Sequence, residues 1–185
     1  HFVPQIRQAL LLKKLPVPVV YNTSGYERPE SLKTLEGLVD IYLPDYKYAQ
    51  PDPAAALSRA PDYPETALAA IGEMVDQVGA PQYDGEGMMT RGVLIRHLIL
   101  PGHTKNSIAV LRAVAERFPG IPVSLMAQYT PWGLAAREGG VPGYPELSRP
   151  ITGRELNKVQ EELFALGLDG FVQSRKARGD RFIPD

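Results

Sequence analysis

"VLIRHLILPG", residues 93–102, is apolar at almost every position and is interrupted only by Arg96 and His97. A strand with one solvated face alternates apolar and polar residues, whereas a strand buried on both faces is apolar nearly throughout. Burial on both faces is typical of parallel strands that are covered by helices. This stretch therefore predicts an α/β fold built on a parallel sheet.

Strand and helix patterns alternate on both sides of this stretch. The predicted order is a helix to about Lys14, a strand at 17–25, a short helix at 29–36, a strand at 38–45, a helix at 63–78, the strand at 93–102, a helix that ends before Gly120, a strand at 121–131 and a helix at 152–166. Such alternation implies right-handed crossovers between parallel strands. The sheet is then either an open doubly wound sheet or part of a (βα) barrel.

Composition limits the class of protein. The chain has 185 residues, of which 44% are hydrophobic, and this predicts one core and a single domain over 1–185. The formal net charge is -1, and the basic cluster Arg175, Lys176 and Arg178 is predicted to be solvated, so neither nucleic acid nor a membrane is an expected partner. Without a membrane-span or signal-peptide pattern, we expect a soluble, cytoplasmic protein. The absence of cysteine excludes disulfides, thiolate metal sites and a catalytic thiol.

Polar residues stand at the ends of three predicted strands and within the remaining one: Asn22, Thr23 and Ser24, then Asp45 and Lys47, then Arg96 and His97 inside the strand at 93–102, then Gln128 and Tyr129. Ligands of parallel α/β folds bind at the carboxyl ends of the strands, where these residues would converge. Asp45 and Lys47 share one face because strand side chains alternate. Lys47 and Arg96 suit a carboxylate or ribose oxygens, and Asp45 suits an amine or a cation. Alternatively, the three charges only neutralise one another in a polar interior.

Three further patterns are weaker candidates. His97 and His103 with Asp45 could form a metal hydrolase site, but His97 should point to the face opposite Arg96. "GEG" at 85–87 precedes a strand, so we expect a loop or an inserted hairpin instead of a phosphate loop. The Pro- and Gly-rich loop at 132–150 is long enough to be a lid or binding loop. Thr152 and the Glu three residues later have the capping-box spacing of a helix start.

The four strand ends together resemble a known family. Read in order, "YNTSGY", "DIYLPDYKY", "LIRHLILPG" and "LMAQYTP" are similar to the later strands of radical S-adenosylmethionine (SAM) enzymes. The nearest group is the iron-sulfur proteins that are similar to the pyruvate formate-lyase activating enzyme, of which "APDYPETA" and "YPELSRPIT" are also typical. The resemblance covers nearly the whole chain. It implies a partial (βα) barrel of the TIM-barrel type, with parallel strands three to six of a radical SAM (βα)6 barrel.

The resemblance gives the first two strand ends specific roles. Asn22, Thr23, Ser24 and Gly25 take the place of a turn that approaches the methionyl part of S-adenosylmethionine and a monovalent cation. That turn carries a carboxylate in the family at the position of Asn22, so this chain departs from the pattern at the cation site. Asp45 matches an acid that helps bind the same cation, which would lie near Thr23 and Asp45.

The later strand ends are implied to contact the cofactor directly. Lys47 matches a lysine that faces S-adenosylmethionine, and Arg96 matches an arginine near the carboxylate and the ribose of the cofactor. Gln128 and Tyr129 stand where the family has a histidine close to the ribose or adenine, so the tyrosine would stack on adenine or the glutamine would bond its edge. The resemblance thus implies a cofactor site without identifying a catalytic residue.

The chemistry of the family depends on parts that this sequence does not contain. Three cysteines of a CxxxCxxC loop hold a [4Fe-4S] cluster, and an electron from that cluster cleaves S-adenosylmethionine to a 5'-deoxyadenosyl radical that abstracts hydrogen from the substrate. A Gly-Gly-Glu-Pro stretch of the family would lie just before His1. We therefore expect the chain to be the C-terminal part of an oxidoreductase of this kind, with the cluster-bearing strands outside the printed sequence.

Two functions remain open at this point. The first is a partial radical SAM enzyme of the glycyl-radical-activating type, whose substrate would be a glycine of a partner protein or an unknown molecule. The second is a non-catalytic partial barrel that binds a ligand or a partner at the same strand ends. A partial barrel leaves a sheet edge exposed, so we also expect dimerisation through that edge.

Overall fold

A computed structural model describes residues 3–12 and 15–173 of the chain. Its helices and strands are α1 (Val3–Leu12), β1 (Val20–Thr23), α2 (Pro29–Lys33), β2 (Ile41–Pro44), α3 (Pro51–Ser58), α4 (Tyr63–Val78), β3 (Gln82–Tyr83), β4 (Met89–Val93), β5 (Ile95–Leu98), α5 (Thr104–Arg117), β6 (Val123–Met126), α6 (Gly153–Ala165) and β7 (Gly170–Gln173). Two short 3-10 helices, Gly133–Ala136 and Pro145–Ser148, lie in the loop before α6. Lys14 and the basic cluster at 175–178 lie outside the described residues.

The main strands are parallel and follow one another in chain order. β1 pairs with β2, β2 pairs with β4, β5 pairs with β6 and β6 pairs with β7, all in parallel. β4 and β5 are separated only by Leu94, and a parallel bridge between Asp45 and Arg96 joins the end of β2 to β5. The prediction of a mixed α/β fold with parallel strands is confirmed.

The helices supply most of the core. The buried residues of α4, α5 and α6 include Ala67, Ile71, Met74, Val110, Leu111, Val114, Val159 and Leu163. α4 has the predicted range, and Gly79 ends it with a positive φ of 71°. Ala67 and Met74 of α4 are buried, whereas Leu68 and Val75 are only half-buried.

Residues 82–93 form a hairpin, which is one of the two structures expected around "GEG"; the other was a loop. β3 and β4 are antiparallel, and the carboxylate of Asp84 accepts hydrogen bonds from the N–H groups of Glu86 and Met88. The "GEG" stretch is therefore the turn of a hairpin. It opens no helix, which a phosphate loop would have to do.

Two elements were not predicted. α3 comes directly after residues 45–49, which we call the pocket segment, and packs against α4. β7 lies beyond β6 and is the sixth parallel strand. β1 is the outer strand on the other side of the array, and Val20 is 51% exposed there. Near that edge, α1 has no buried residue and leaves Leu11 and Leu12 exposed.

The start of α6 has the capping box that its sequence predicts. Thr152 Oγ1 accepts a hydrogen bond from the Glu155 N–H at 3.2 Å, and a Glu155 carboxylate oxygen accepts one from the Thr152 N–H at 2.7 Å. Both Nη atoms of Arg149 donate to the same carboxylate at 2.9 Å, and the Gly102 N–H donates to it at 2.7 Å. Glu155 therefore ties the loop after β5 and the loop after β6 to the first turn of α6.

Replacement of Glu155 by glutamine is expected to lower the free energy of unfolding by about 2 to 3 kcal/mol at neutral pH, because several charge-assisted hydrogen bonds are lost together. Hydrogen bonding from Arg149 above all, and from the N–H groups of Thr152 and Gly102, holds the pKa of Glu155 well below its usual range. The stabilisation is therefore present above the usual carboxyl pKa and is lost as the pH falls below it.

Urea denaturation of both proteins at several pH values checks this result. The difference in the free energy of unfolding between the wild type and Glu155→Gln should narrow as the pH falls below about 4. Glu161→Gln is the matched control, because Glu161 is an exposed residue of the same helix. A gap of the same size at acidic and neutral pH would contradict the proposed ionic role.

Candidate functional site

Asp45, Lys47 and Arg96 meet in one pocket at the carboxyl ends of the strands. Arg96 donates to one carboxylate oxygen of Asp45 through Nε at 3.0 Å and through Nη2 at 2.7 Å. The Nζ atom of Lys47 lies 3.8 Å from the other oxygen of that carboxylate. The pocket has a volume of about 320 Å³, and its apolar wall includes Leu98 and Met126. The structure thus brings together three side chains that are up to 51 residues apart in sequence.

The charges of this pocket do not cancel. Two cationic side chains surround one carboxylate, so the three groups carry one net positive charge at neutral pH. The side chains of Asp45 and Arg96 are 18% and 26% exposed, whereas that of Lys47 is 41% exposed. A partly buried cationic site of this kind attracts an anion such as a carboxylate. Asp45, Lys47 and Arg96 do pair with one another, and the pocket still has room for such a ligand.

The backbone that carries Asp45 and Lys47 is held by the hydroxyl of Tyr63. The Lys47 N–H donates to Tyr63 Oη at 3.0 Å, and that hydroxyl lies 2.8 Å from the carbonyl oxygens of both Asp45 and Ser24. Tyr63 is 3% exposed, and burial raises the pKa of its phenol well above the usual range. The hydroxyl therefore stays protonated and holds the ends of β1 and β2 together.

His97 holds the same segment from the opposite face of β5. Its Nδ1 atom lies 2.8 Å from the Tyr46 carbonyl oxygen, and its Nε2 atom lies 2.9 Å from the Ser107 hydroxyl. A carbonyl only accepts hydrogen bonds, so Nδ1 carries the proton and Nε2 accepts from Ser107. Burial lowers the pKa of His97 to about 4, although the contact with Tyr46 opposes that shift. His97 is neutral at physiological pH and has no free nitrogen for a metal.

Asn106 completes this support. Its amide donates to the Lys47 carbonyl oxygen at 2.9 Å and accepts from the Ala49 N–H at 3.0 Å. Tyr63, His97 and Asn106 together form what we call the backbone clamp of residues 45–49. Sequence reasoning missed the roles of Tyr63 and Asn106. The available signal was the position of Asn106 and Ser107 on the apolar side of α5, where a buried polar side chain needs a partner.

The loop after β1 approaches the pocket segment closely at Gly25. A Cβ atom on Gly25 would lie 2.3 Å from the Asp45 carbonyl oxygen, and φ is +75° there. Asn22 and Ser24 are exposed, whereas Thr23 is half-buried. This turn therefore contributes its backbone to the site. None of its three polar side chains lines the pocket.

The Thr23 side chain is turned towards an acid that was not predicted. Its hydroxyl donates to Glu27, whose other carboxylate oxygen accepts from the Tyr21 hydroxyl at 3.1 Å. Burial, followed by the charge of Glu27, raises the pKa of Tyr21 to about 12. Asp45 is already in contact with two cations. The monovalent cation near Thr23 and Asp45 stays a prediction, and the arrangement leaves neither side chain without a partner.

Gln128 and Tyr129 follow β6 but do not line the pocket of Asp45. The Tyr129 hydroxyl donates to the Leu147 carbonyl oxygen at 2.8 Å, and its ring lines a neighbouring cleft. The Oε1 atom of Gln128 is buried without a hydrogen-bond partner in the described part of the chain. The contact of these two residues with adenine therefore stays a prediction, and Gln128 has an acceptor available for it.

Comparisons with known proteins agree with this fold. No family model matches the chain. Over 154 residues, or 83% of the chain, it is 27% identical to an uncharacterised protein of Methanocaldococcus jannaschii. The chain spans 40% of the length of that relative. Among the residues that the structure describes, no helix is long and apolar enough to cross a membrane.

The backbone is also similar to that of a solved structure. The crystal structure of a domain of pyruvate-formate lyase-activating enzyme from Bacteroides vulgatus superposes with a TM-score of 0.64 and 13% sequence identity. The match covers 93% of this chain and 91% of that domain. At this identity the likeness concerns the backbone and not the side chains of the site. The chain therefore has the fold of a domain of a pyruvate-formate lyase-activating enzyme.

Proposed function

We propose that the chain is the cofactor-facing C-terminal part of a radical SAM enzyme, in a partial (βα) barrel that corresponds to strands three to six of the family barrel. The observation that carries the proposal is the meeting of Asp45, Lys47 and Arg96 at the carboxyl ends of parallel strands. The fold of an activating-enzyme domain supports it. Like that enzyme class, the whole protein would act on a glycine of a partner protein or on another substrate.

The residues of the pocket fit S-adenosylmethionine in their chemistry. Lys47 and Arg96 can donate to the carboxylate and to ribose oxygens, and Asp45 can accept from the ammonium group. Leu98 and Met126 provide an apolar wall for the uncharged parts of the molecule. Bound there, S-adenosylmethionine would supply the hydrogen-abstracting chemistry of the class. The part of this chain is to bind and orient it through those three charges.

The chain does not fit the [4Fe-4S] cluster in the same way. Cluster iron is held by cysteine thiolates, and the sequence has no cysteine. No group of three or more His, Asp or Glu side chains that could hold a metal ion occurs among the described residues. We therefore assign no step of the reaction to a cluster on these residues. The cysteines of a complete enzyme would belong to a segment that the printed sequence does not include.

Partners and location stay predictions. The exposed outer strand β1 and the apolar side chains of α1 are where we expect a second copy to pair. A glycyl-radical-type protein is the expected macromolecular substrate, and the cytoplasm is the expected location.

Calorimetric titration of S-adenosylmethionine into the 185-residue chain tests the proposed function. Lys47→Ala and Arg96→Ala should each weaken binding by at least ~1 kcal/mol, which is about fivefold in affinity, because each removes a charge-assisted hydrogen bond to the ligand. Lys158→Ala removes an exposed cation of α6 and should leave the affinity unchanged. Circular dichroism of each variant establishes that it is folded.

Two results would decide against the proposal. If neither variant changes the affinity, Asp45, Lys47 and Arg96 serve only to neutralise one another. If the chain and a longer form with the cysteine loop both fail to bind S-adenosylmethionine, the non-catalytic partial barrel is the better description.

A further inference from the structure

A second cleft of about 410 Å³ adjoins the cofactor pocket. Both are lined by Tyr48 and Leu100, so these two side chains separate one space from the other. The remaining walls come from α3, from the end of β6 and from the long loop before α6. The size lies within the range of small-molecule sites. Apart from the predicted contact of Tyr129 with adenine, no role in the proposed cofactor site uses this cleft.

Most of the side chains that line the cleft are apolar. Trp132 and Leu134 are 66% and 53% exposed, so both leave apolar surface that a ligand in the cleft could cover. The hydroxyl of Tyr129 is occupied by the Leu147 carbonyl, so its ring offers the cleft an apolar surface. The long loop thus presents apolar side chains to a space that lies beside the pocket.

Arg59 is the cationic residue of this cleft. No hydrogen bond or ion pair of its guanidinium occurs within the described part of the chain. Its backbone is left-handed, with φ 54° and ψ 32°, and it is the one described residue other than glycine with positive φ. Glycine adopts this conformation without strain, and it is the usual residue after a helix end. An arginine here is unfavourable for the backbone, which points to a use for its side chain.

We infer that this cleft binds a small organic acid, with its apolar body against Trp132 and Leu134 and its acid group on Arg59. The other end of such a ligand would lie at Tyr48 and Leu100, beside the cofactor pocket. It would then be the substrate in place of a protein glycine, and in that designation the inference rests on the proposed function. A protein partner is a poorer fit, because a stable interface covers about 800 Å² per partner, whereas two exposed apolar side chains beside a cleft offer much less.

Trp132 is the only tryptophan of the chain, so its fluorescence reports on the cleft. The experiment titrates decanoate and decylammonium below their micelle concentrations, and n-decanol below its solubility limit, into the full 185-residue protein. We expect a saturable change with decanoate and at least tenfold weaker binding of the other two. Equal binding of all three, or a change with decanoate that does not saturate, would overturn the inference.

Arg59→Gly separates a binding role from a structural one. Glycine relieves the left-handed backbone, so the midpoint of thermal unfolding should stay the same or rise. The affinity for decanoate should fall at least tenfold, to the level of n-decanol. Arg59→Gln is a second variant that keeps the side chain without its charge, and Lys158→Ala is the control for net charge. Unchanged decanoate affinity in both Arg59 variants would refute the role of Arg59.

The same proteins distinguish a failure here from a failure of the proposed function. Suppose that decanoate binds at Trp132 but that Lys47→Ala and Arg96→Ala leave the affinity for S-adenosylmethionine unchanged. The inference about the cleft would then stand, and the radical SAM assignment would fail. If instead both variants weaken S-adenosylmethionine binding and decanoate does not bind, the cofactor site would stand and the inference of an organic acid substrate would fail.

Discussion

Replacing Gly25 by alanine is expected to lower the free energy of unfolding by about 3 kcal/mol. A left-handed backbone costs an alanine roughly 1 kcal/mol, and a Cβ atom 2.3 Å from the Asp45 carbonyl oxygen forces two backbone segments apart, which adds a similar or larger amount. The obstacle is a carbonyl of the backbone, so no side-chain rotation can relieve it. Urea denaturation with a linear extrapolation measures the change.

Gly37 is the matched control for Gly25. Its φ is +74°, almost the same as that of Gly25, but a Cβ atom there would meet nothing within 4 Å. Gly37→Ala should therefore show only the backbone part of the cost, roughly 1 kcal/mol. Equal losses in the two variants would mean that the loop after β1 does not press on the pocket segment.

The wild-type protein is expected to lose roughly 3 kcal/mol of stability through His97 as the pH falls from 6.5 to 4. Burial lowers the pKa of His97 to about 4 in the folded chain, while an unfolded histidine titrates near 6.5. The unfolded chain binds the extra proton in this window, so the contribution of His97 is complete above pH 6.5 and declines as the pH falls towards 4. Denaturation curves at several pH values within this window measure this loss of stability.

His97→Asn is the variant that tests this prediction. Its amide can still donate to the Tyr46 carbonyl but does not titrate, so the variant should be less stable at pH 7 and should vary less between pH 6.5 and 4. Asn106→Ala weakens the same backbone clamp without removing a titratable group, so its curve should run parallel to that of the wild type. A wild-type curve parallel to that of His97→Asn would show that the pKa of His97 is not lowered in the folded protein.

The parts of the fold that sequence could predict are those with a local cause. The apolar run at 93–102 indicated a parallel strand, and the helix predicted at 63–78 has the same limits as α4. Thr152 and Glu155 predicted the start of α6 because a capping box depends on residues three apart. Asp45 and Lys47 were placed on one face by strand alternation alone.

The parts that could not be predicted depend on distant contacts. α3 has two prolines and three alanines in eight residues, so it shows no apolar stripe, and its packing against α4 stabilises it. β7 has four residues and exists through its pairing with β6. The sequence pattern predicts only that Tyr63 begins a helix. Its hydroxyl acts on Ser24, 39 residues away, and no local pattern encodes that contact.

The backbone clamp of residues 45–49 has a consequence for how this protein can change. Tyr63, His97 and Asn106 hold that segment through its N–H and carbonyl groups, and none of the three lines the pocket. The side chains of Lys47, Leu98 and Met126 therefore take no part in holding that backbone in place. Natural variation or directed evolution can replace them one at a time and retarget the pocket to a new ligand, because the scaffold that aims them does not have to be rebuilt.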